Sequence, residues 1–531
     1  MILFRHAQIY DGTGQKPFLG DVLVKNNRIA EVGQSLEVPE DTEILEADGK
    51  LLCPGFIDIH RHADVQPLIN SKCEAELRQG ITTAVSGNCG ISLTPGAAFS
   101  RAEQNAFAAA VLGPVSEDAP LTYREYCATL EHQKLPLNFA AMIGTGAVRI
   151  SLKGFSREPF TKPELEKAEN IIDEALSLGA PGISCGIMYM PECFNTLDDY
   201  VFMLRPLGKY HRPLTAHIRG EGDSLVESVE EVIRIAETVG CPLEISHFKS
   251  CGMHNWEREI YRAIEKIENA RARGVDVTCD FYPYCGGSTM LTTMLPPVLC
   301  TDGIDAACAA LGTKDGVESF RKAARVPYDD WDNYAVTLGW DRILVSTVSR
   351  EENKKYLGLS VKAAAEKFGF DDAEALAAHL MHTEGGGCGI INLSMSQDDV
   401  DAVAKLPYSL LISDSLYAAT STPHPRLLGA FPRFLREYAF ERHVVTPEDA
   451  IYKMTFAPAK RFSFTDRGKI AKGCKADLLV FDPEVFTDNA DFSGRSEFAS
   501  GLWRSMIGGE FAVKDDAITS TAPGEFLRAG I

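Results

Sequence analysis

The chain has 531 residues, 45% of them apolar and 24% charged, enough for one large domain together with a smaller one. Its 53 basic and 74 acidic residues leave a net charge of −21, which argues against nucleic acid or an anionic membrane surface as the main partner. No apolar run reaches the length of about 18 residues that a transmembrane helix needs. No basic and apolar leader opens the sequence, and the 14 cysteines include no Cys-x-x-Cys pair, so a reducing cytoplasm is expected.

Residues 1–52 read as short strands and turns, with a turn cluster at Tyr10-Asp11-Gly12-Thr13-Gly14 and a tight turn at Lys25-Asn26-Asn27-Arg28. Residues 468–531 read the same way, which predicts one small β-sandwich domain built from both termini. Between them, apolar runs at 55–62, 82–88, 138–144, 181–187, 213–218, 243–248, 275–282 and 408–413 alternate with helical patterns such as 161–178, 221–239 and 255–273. Thr161 is a good N-cap, Pro163 suits a first turn, and Gly179 follows the end of that helix. Eight strands separated by helices predict a (β/α)8 TIM barrel over residues 53–467. The segment 283–407 is too long to be a simple connection between the seventh and eighth strands. It carries its own helical patterns at 360–369 and 372–382 and a strand near 389–394, and reads as an inserted subdomain or lid.

In such a barrel the C-terminal strand ends form the active site. The first strand runs out through His60-Arg61-His62, and side chains two apart on a strand share one side, so both imidazoles can face one metal ion. The second ends at Gly87-Asn88-Cys89-Gly90; Cys89 reads either as a small buried apolar residue or as a thiolate that binds zinc well. The fifth and sixth end at His217 and His247, in matching positions. A lone histidine there is more often a satisfied core residue, but two in register beside a His-x-His and a cysteine favour a metal cluster. Asp414 ends the eighth strand and reads as a helix N-cap or as the general base of a hydrolytic site, of which the second is favoured. Lys249 lies two residues past His247, and a cation so near a metal calls for an anion between them, such as a substrate carboxylate. Tyr282, Ser288 and Arg426 can join it, or be solvated loop residues.

Together these motifs resemble the amidohydrolase superfamily and, within it, the N-acyl-D-amino-acid deacylases. The resemblance runs along nearly the whole chain, through Pro54-Gly55-Phe56-Ile57-Asp58, Gly80-Ile81-Thr82-Thr83, His217-Ile218-Arg219-Gly220-Glu221-Gly222, Ile245-Ser246-His247-Phe248-Lys249, Tyr282-Pro283-Tyr284 and Gly473-Cys474-Lys475-Ala476-Asp477. The Asn88-Cys89 segment is its more specific part, because most of the superfamily uses a carboxylated lysine where this subgroup uses cysteine. The resemblance implies hydrolysis of the amide bond of small N-acyl-D-amino acids. It implies a tight zinc held by Cys89, His217 and His247, and a weaker second site at His60, His62 and Asp414 with Cys89 as bridge. Lys249, Tyr282, Ser288 and Arg426 would bind the substrate carboxylate, and Tyr189 would be a further substrate contact. The chain departs from the usual pattern at Gly144-Thr145, where Gly-His is frequent, at Phe248, and at Ser415-Leu416-Tyr417. The competing readings are another amidohydrolase (a dipeptidase, or a dihydroorotase- or hydantoinase-like enzyme) and a catalytically silent scaffold of the same fold.

Overall fold

The computed structural model describes residues 1–69, 72–96, 101–301, 303–328, 331–417 and 422–530. The central feature is a series of short, buried, parallel strands in chain order. Phe56–Asp58, Ile81–Ser86 and Asn138–Ala141 form one three-stranded sheet. Ile143–Gly144, Ile183–Gly186, Leu214–His217, Leu243–Ile245, Val277–Phe281 and Ser409–Leu411 form a second, also parallel. The two sheets meet at Met142, whose N–H still donates to Ser86 O at 2.9 Å. At the other end, Asp414 N donates to His60 O at 2.9 Å and His62 N to Ser415 O at 3.0 Å. The last strand thus hydrogen-bonds to the first just beyond their regular ends. Strands buried on both faces are expected to be continuously apolar, as Leu410-Leu411-Ile412 is.

The connecting helices follow their sequence signals. Helix Lys162–Ser177 opens with a capping box between Thr161 and Glu164. Helix Leu225–Val239 buries Val229, Val232 and Ala236 and ends at Gly240, whose φ of 75° is the left-handed conformation that glycine reaches without a Cβ clash. It packs against helix Glu259–Ala272.

Strands from both chain ends join in one nine-stranded mixed sheet. Leu478–Phe481 pairs antiparallel with Leu51–Pro54 and so links the two halves. Thr487–Ala490 and Ser496–Ser500, within the C-terminal part, form a separate two-stranded sheet. Ile2–Ile9 has a bulge between Phe4 and Ala7; its first half pairs with Glu43–Glu46 and its last residues with Leu51 and Leu52. The bulge interrupts the ladder locally and lets one strand serve two partners in turn. Phe4, Val22, Leu52, Val480 and Met506 pack a core on this sheet.

After Val277–Phe281, the strands Gly287–Met290, Ile343–Thr347 and Gly389–Asn392 form a three-stranded antiparallel sheet. Helices Lys314–Ala323, Val361–Phe368 and Ala373–Thr383 contribute with it to a second core that includes Phe320, Val345 and Leu376. The next helix, Gln397–Ala404, packs against Val277–Phe281 and Ser409–Leu411.

Candidate metal centre

Five strand ends deliver their polar side chains to one buried cluster. His60, His62, Cys89, His217, His247 and Asp414 are all buried. Cys89 Sγ lies 3.2 Å from His60 Nε2 and 3.4 Å from His247 Nε2. His217 Nδ1 is 2.7 Å from His247 Nε2. Asp414 Oδ1 is 3.4 Å from His62 Nε2 and 3.6 Å from His60 Nε2. Zinc bonds of about 2.3 Å to sulfur and about 2.0 Å to nitrogen, set tetrahedrally, separate donor atoms by roughly 3.3–3.6 Å. Apart from the closer approach of His217 to His247, the cluster is near that spacing, and its thiol, imidazole and carboxylate donors are the types zinc prefers, so the residues present fit the metal. Three groups have donor atoms within 4.8 Å of one another: His60, Cys89 and His247; His60, His62 and Asp414; and His217, Glu221 and His247. His247 is thus the common member that joins Cys89 to His217.

Local backbone geometry aims these groups. Cys89, His247 and Asp414 have φ of 55°, 35° and 48°, in the left-handed region that residues with a Cβ seldom occupy. Such conformations persist only where the surroundings over-determine them, and they cluster at functional sites.

Two carboxylates that the sequence reading passed over orient the imidazoles. Glu221 Oε1 is 3.0 Å from His247 Nδ1, and Asp280 Oδ2 is 3.3 Å from His60 Nδ1. A proton on Nδ1 that faces a carboxylate leaves Nε2 free to bind a metal. Asp280 also accepts from the backbone N–H of His247. Their sequence signals are weak: Glu221 is four residues past His217, and Asp280 lies on Val277–Phe281, two residues before Tyr282.

The electrostatics are those of a cluster sharing charge. Burial opposes ionisation of Cys89, but His60, His247 and His217 outweigh it and hold the thiol well below its ordinary value. Burial likewise opposes the charge on Asp414, and Arg426, His62, His60 and His247 overcome it, so its carboxyl sits well below the usual carboxylate range. His247 is disfavoured as a cation by burial and by Lys249, yet Cys89 and Glu221 push it up to about 9.

The proposed substrate-binding residues flank the cluster. Lys249 Nζ is 2.5 Å from Glu221 Oε1 and 2.8 Å from His247 Nδ1. The Tyr282 ring lies between two cations, 4.7 Å from the Arg426 guanidinium and 5.8 Å from Lys249 Nζ. Tyr189 Oη is 3.3 Å from His217 Nδ1. Ser288 is half-buried on Gly287–Met290, and its side chain makes no hydrogen bond among the described residues. Its neighbour Gly287 faces the Tyr282 hydroxyl.

Behind the histidine pair, Arg61 is fully buried and binds Asp58 at 2.9 Å, Glu76 at 3.2 Å and the Tyr417 hydroxyl at 2.6 Å. Asp58 in turn accepts from Ser413 N at 3.1 Å. This network ties the ends of the first and last parallel strands together behind the cluster. Tyr417, one of the departures seen in the sequence, is part of it.

A buried cysteine thiol, four imidazoles and a carboxylate gathered at strand ends, with cations beside them, define a metal-dependent hydrolase acting on amide bonds. The amidohydrolase family model matches residues 43–495, and the chain belongs to that family. It is 31% identical to the N-acyl-D-glutamate deacylase of Alcaligenes xylosoxydans xylosoxydans over 528 residues, covering 98% of this chain and 95% of the relative. It is 29% identical to the D-aminoacylase of the same organism, covering 99% and 97%. Among solved structures, the N-acyl-D-glutamate deacylase of Bordetella bronchiseptica, complexed with zinc and a phosphonate mimic of the tetrahedral intermediate, superimposes with a TM-score of 0.83 at 28% identity, covering 99% of each chain. Among the described residues, no helix is long and apolar enough to cross a membrane.

Proposed function

We propose that the chain hydrolyses the amide bond of N-acyl-D-amino acids, releasing a carboxylate and a free D-amino acid. The observation that carries this reading is the placement of Cys89 Sγ between His60 and His247, beside the cationic wall of Lys249, Tyr282 and Arg426. The thiol takes the place of the lysine bridge of cyclic-amide hydrolases, and the wall suits a free α-carboxylate. The nearly full-length similarity to two deacylases supports it further.

Cys89, His217 and His247 would hold the tighter zinc. His60, His62 and Asp414 would hold a weaker second ion, with Cys89 as bridge. Zinc, when bound, supplies Lewis acidity that makes water nucleophilic at neutral pH. Asp414, kept ionised by Arg426, accepts the proton of the attacking water and returns it to the leaving nitrogen. Lys249, Tyr282, Ser288 and Arg426 hold the α-carboxylate and so orient the chiral carbon. The Tyr189 hydroxyl donates to the carbonyl oxygen as it gains charge.

Around this chemistry we read residues 53–467 as a closed (β/α)8 barrel. The bonds from His60 and His62 to Asp414 and Ser415 support closure. Residues 1–52 and 468–531 are read as one small β domain, and the segment within 283–407 that has its own core as a cover over the active-site face. The spread of the 14 cysteines through the sequence, without a framework pattern, is read as that of a cytoplasmic protein.

The test is to incubate zinc-loaded protein with paired N-acetyl-D- and N-acetyl-L-amino acids and to resolve the released amines by chiral chromatography. Release from the D series alone is expected. Release from neither, with zinc bound, would move the assignment to another amide, such as a dipeptide or a cyclic amide.

A further inference from the structure

Glu192 lies in the short 3-10 turn Glu192–Phe194, after the strand Ile183–Gly186. It is completely buried. Its Oε1 accepts from the hydroxyls of Thr145 and of Tyr200, the latter at 3.0 Å. Its Oε2 has no hydrogen-bond partner among the described residues and abuts the turn that carries Cys89. A Cβ built on Gly90 would fall 2.1 Å from Oε2, and one built on Gly146 would fall 2.7 Å from it.

That turn is demanding. Cys89 and Gly90 both have positive φ, 55° and 71°. Gly90 N donates to Ser184 Oγ at 3.0 Å, and Ala147 N donates to Gly90 O at 3.0 Å. Gly144 and Gly186 approach so closely that a Cβ on either would strike the backbone of Gly90 or Cys89, at 2.2 and 2.0 Å. Backbone on two sides and the Glu192 carboxyl on a third therefore enclose the turn. The hydroxyl that holds this carboxyl belongs to Thr145, where the resembling family frequently has histidine.

We propose that Glu192, held by Thr145 and Tyr200, is a positioning residue for Cys89: it fills the space behind Gly90 and fixes the turn that aims the thiol into the metal centre. This rests on the reading of Cys89 as a zinc ligand. Glu192 touches neither substrate nor metal, and acts through the backbone of its neighbour.

The full-length protein and the variants Glu192→Ala, Glu192→Gln and Thr145→Val are stripped of metal and checked for fold by circular dichroism. Each is then titrated with Zn2+ against a chromophoric chelator, and separately loaded with Co2+ to record the thiolate-to-metal charge-transfer band. Glu192→Ala is expected to weaken zinc binding by about 10- to 100-fold and to reduce the band. Glu192→Gln, which keeps the shape, should stay close to wild type in both. A merely structural role would lower the melting temperature and leave the Co2+ band unmoved. Folded Glu192→Ala with wild-type zinc affinity and a wild-type band would overturn the proposal. Should Glu192→Ala not fold, Thr145→Val decides: weaker zinc and a smaller band support it, wild-type values overturn it. A wild-type protein with no thiolate band would instead remove Cys89 from the metal, and the proposal with it.

Discussion

Arg426 Nη1 lies 2.8 Å from Asp414 Oδ2, so the cation proposed to receive the substrate carboxylate also anchors the proposed general base. Both groups are buried, and a buried guanidinium and carboxylate each need the other. An incoming α-carboxylate would share a guanidinium that has donors to spare. Substrate position and base position are then coupled through one side chain.

Asp414→Asn keeps the shape and removes the proton acceptor. Zinc at Cys89, His217 and His247 should remain, and kcat should fall by about 10²- to 10⁴-fold. Metal analysis beside a turnover assay checks both. Near-normal turnover would refute the role of Asp414.

Arg426→Lys keeps a charge and loses the planar fork. Loss of one charge-assisted hydrogen bond costs about 2–3 kcal/mol, or about 30- to 150-fold in kcat/KM. Because Arg426 serves both groups, KM should rise and kcat should fall together. A rise in KM alone would confine Arg426 to substrate binding.

Glu221 faces both His247 Nδ1 and Lys249 Nζ. Glu221→Gln keeps a carbonyl for the imidazole and strands the ammonium without a counter-charge. Zinc affinity should drop by about tenfold or more, the usual effect of losing a partner that orients a ligating histidine. Chelator competition measures it, and wild-type affinity would show that His247 is oriented without Glu221.

The Glu192 carboxyl, beside Thr145, Tyr200 and the Cys89 turn, is pushed by burial from an ordinary 4.5 up to about 7. In that window the folded chain keeps a proton that the unfolded chain has released. Stability from this group is therefore fully present below about pH 4.5 and is lost as pH rises through about 7, a change of about 3 kcal/mol. Metal-saturated Glu192→Gln lacks this titration. Denaturant unfolding at pH 5 and pH 8 should show wild type losing stability relative to the variant by nearly that amount. Parallel pH profiles would mean that Glu192 ionises in the fold as it does in the unfolded chain.

Much of the molecule is legible in the chain because burial on both faces makes several parallel strands largely apolar runs, closed by a polar residue. The runs ending at His217, His247 and Asp414 announce themselves in this way. The break at Met142 does not, because 138–144 is one apolar stretch and a sheet discontinuity leaves no mark on hydropathy. Glu221 and Asp280 are hidden for another reason. An acidic residue near a strand end reads as a cap or a solvated group, and only the approach of His247 and His60 from other strands reveals its task. Arg61 and Tyr417 meet across 356 positions. No local pattern encodes that pairing. Glu192 is the extreme case, a charged residue type in a loop that is completely buried.

The bonds joining His60 and His62 to Asp414 and Ser415 bring together the earliest and the latest parts of the parallel strand series. Until that seam forms, His60 and His62 on one side and Asp414 on the other are on separate pieces of the chain. Contacts so distant in sequence form slowly, because the loop entropy between them must be overcome first. Recovered activity on refolding would therefore be a late signal, behind secondary structure and collapse. The cluster is in effect the molecule's own certificate of completed assembly, and a chain halted before Ser409–Leu411 would bring no carboxylate from Asp414 to the histidine pair.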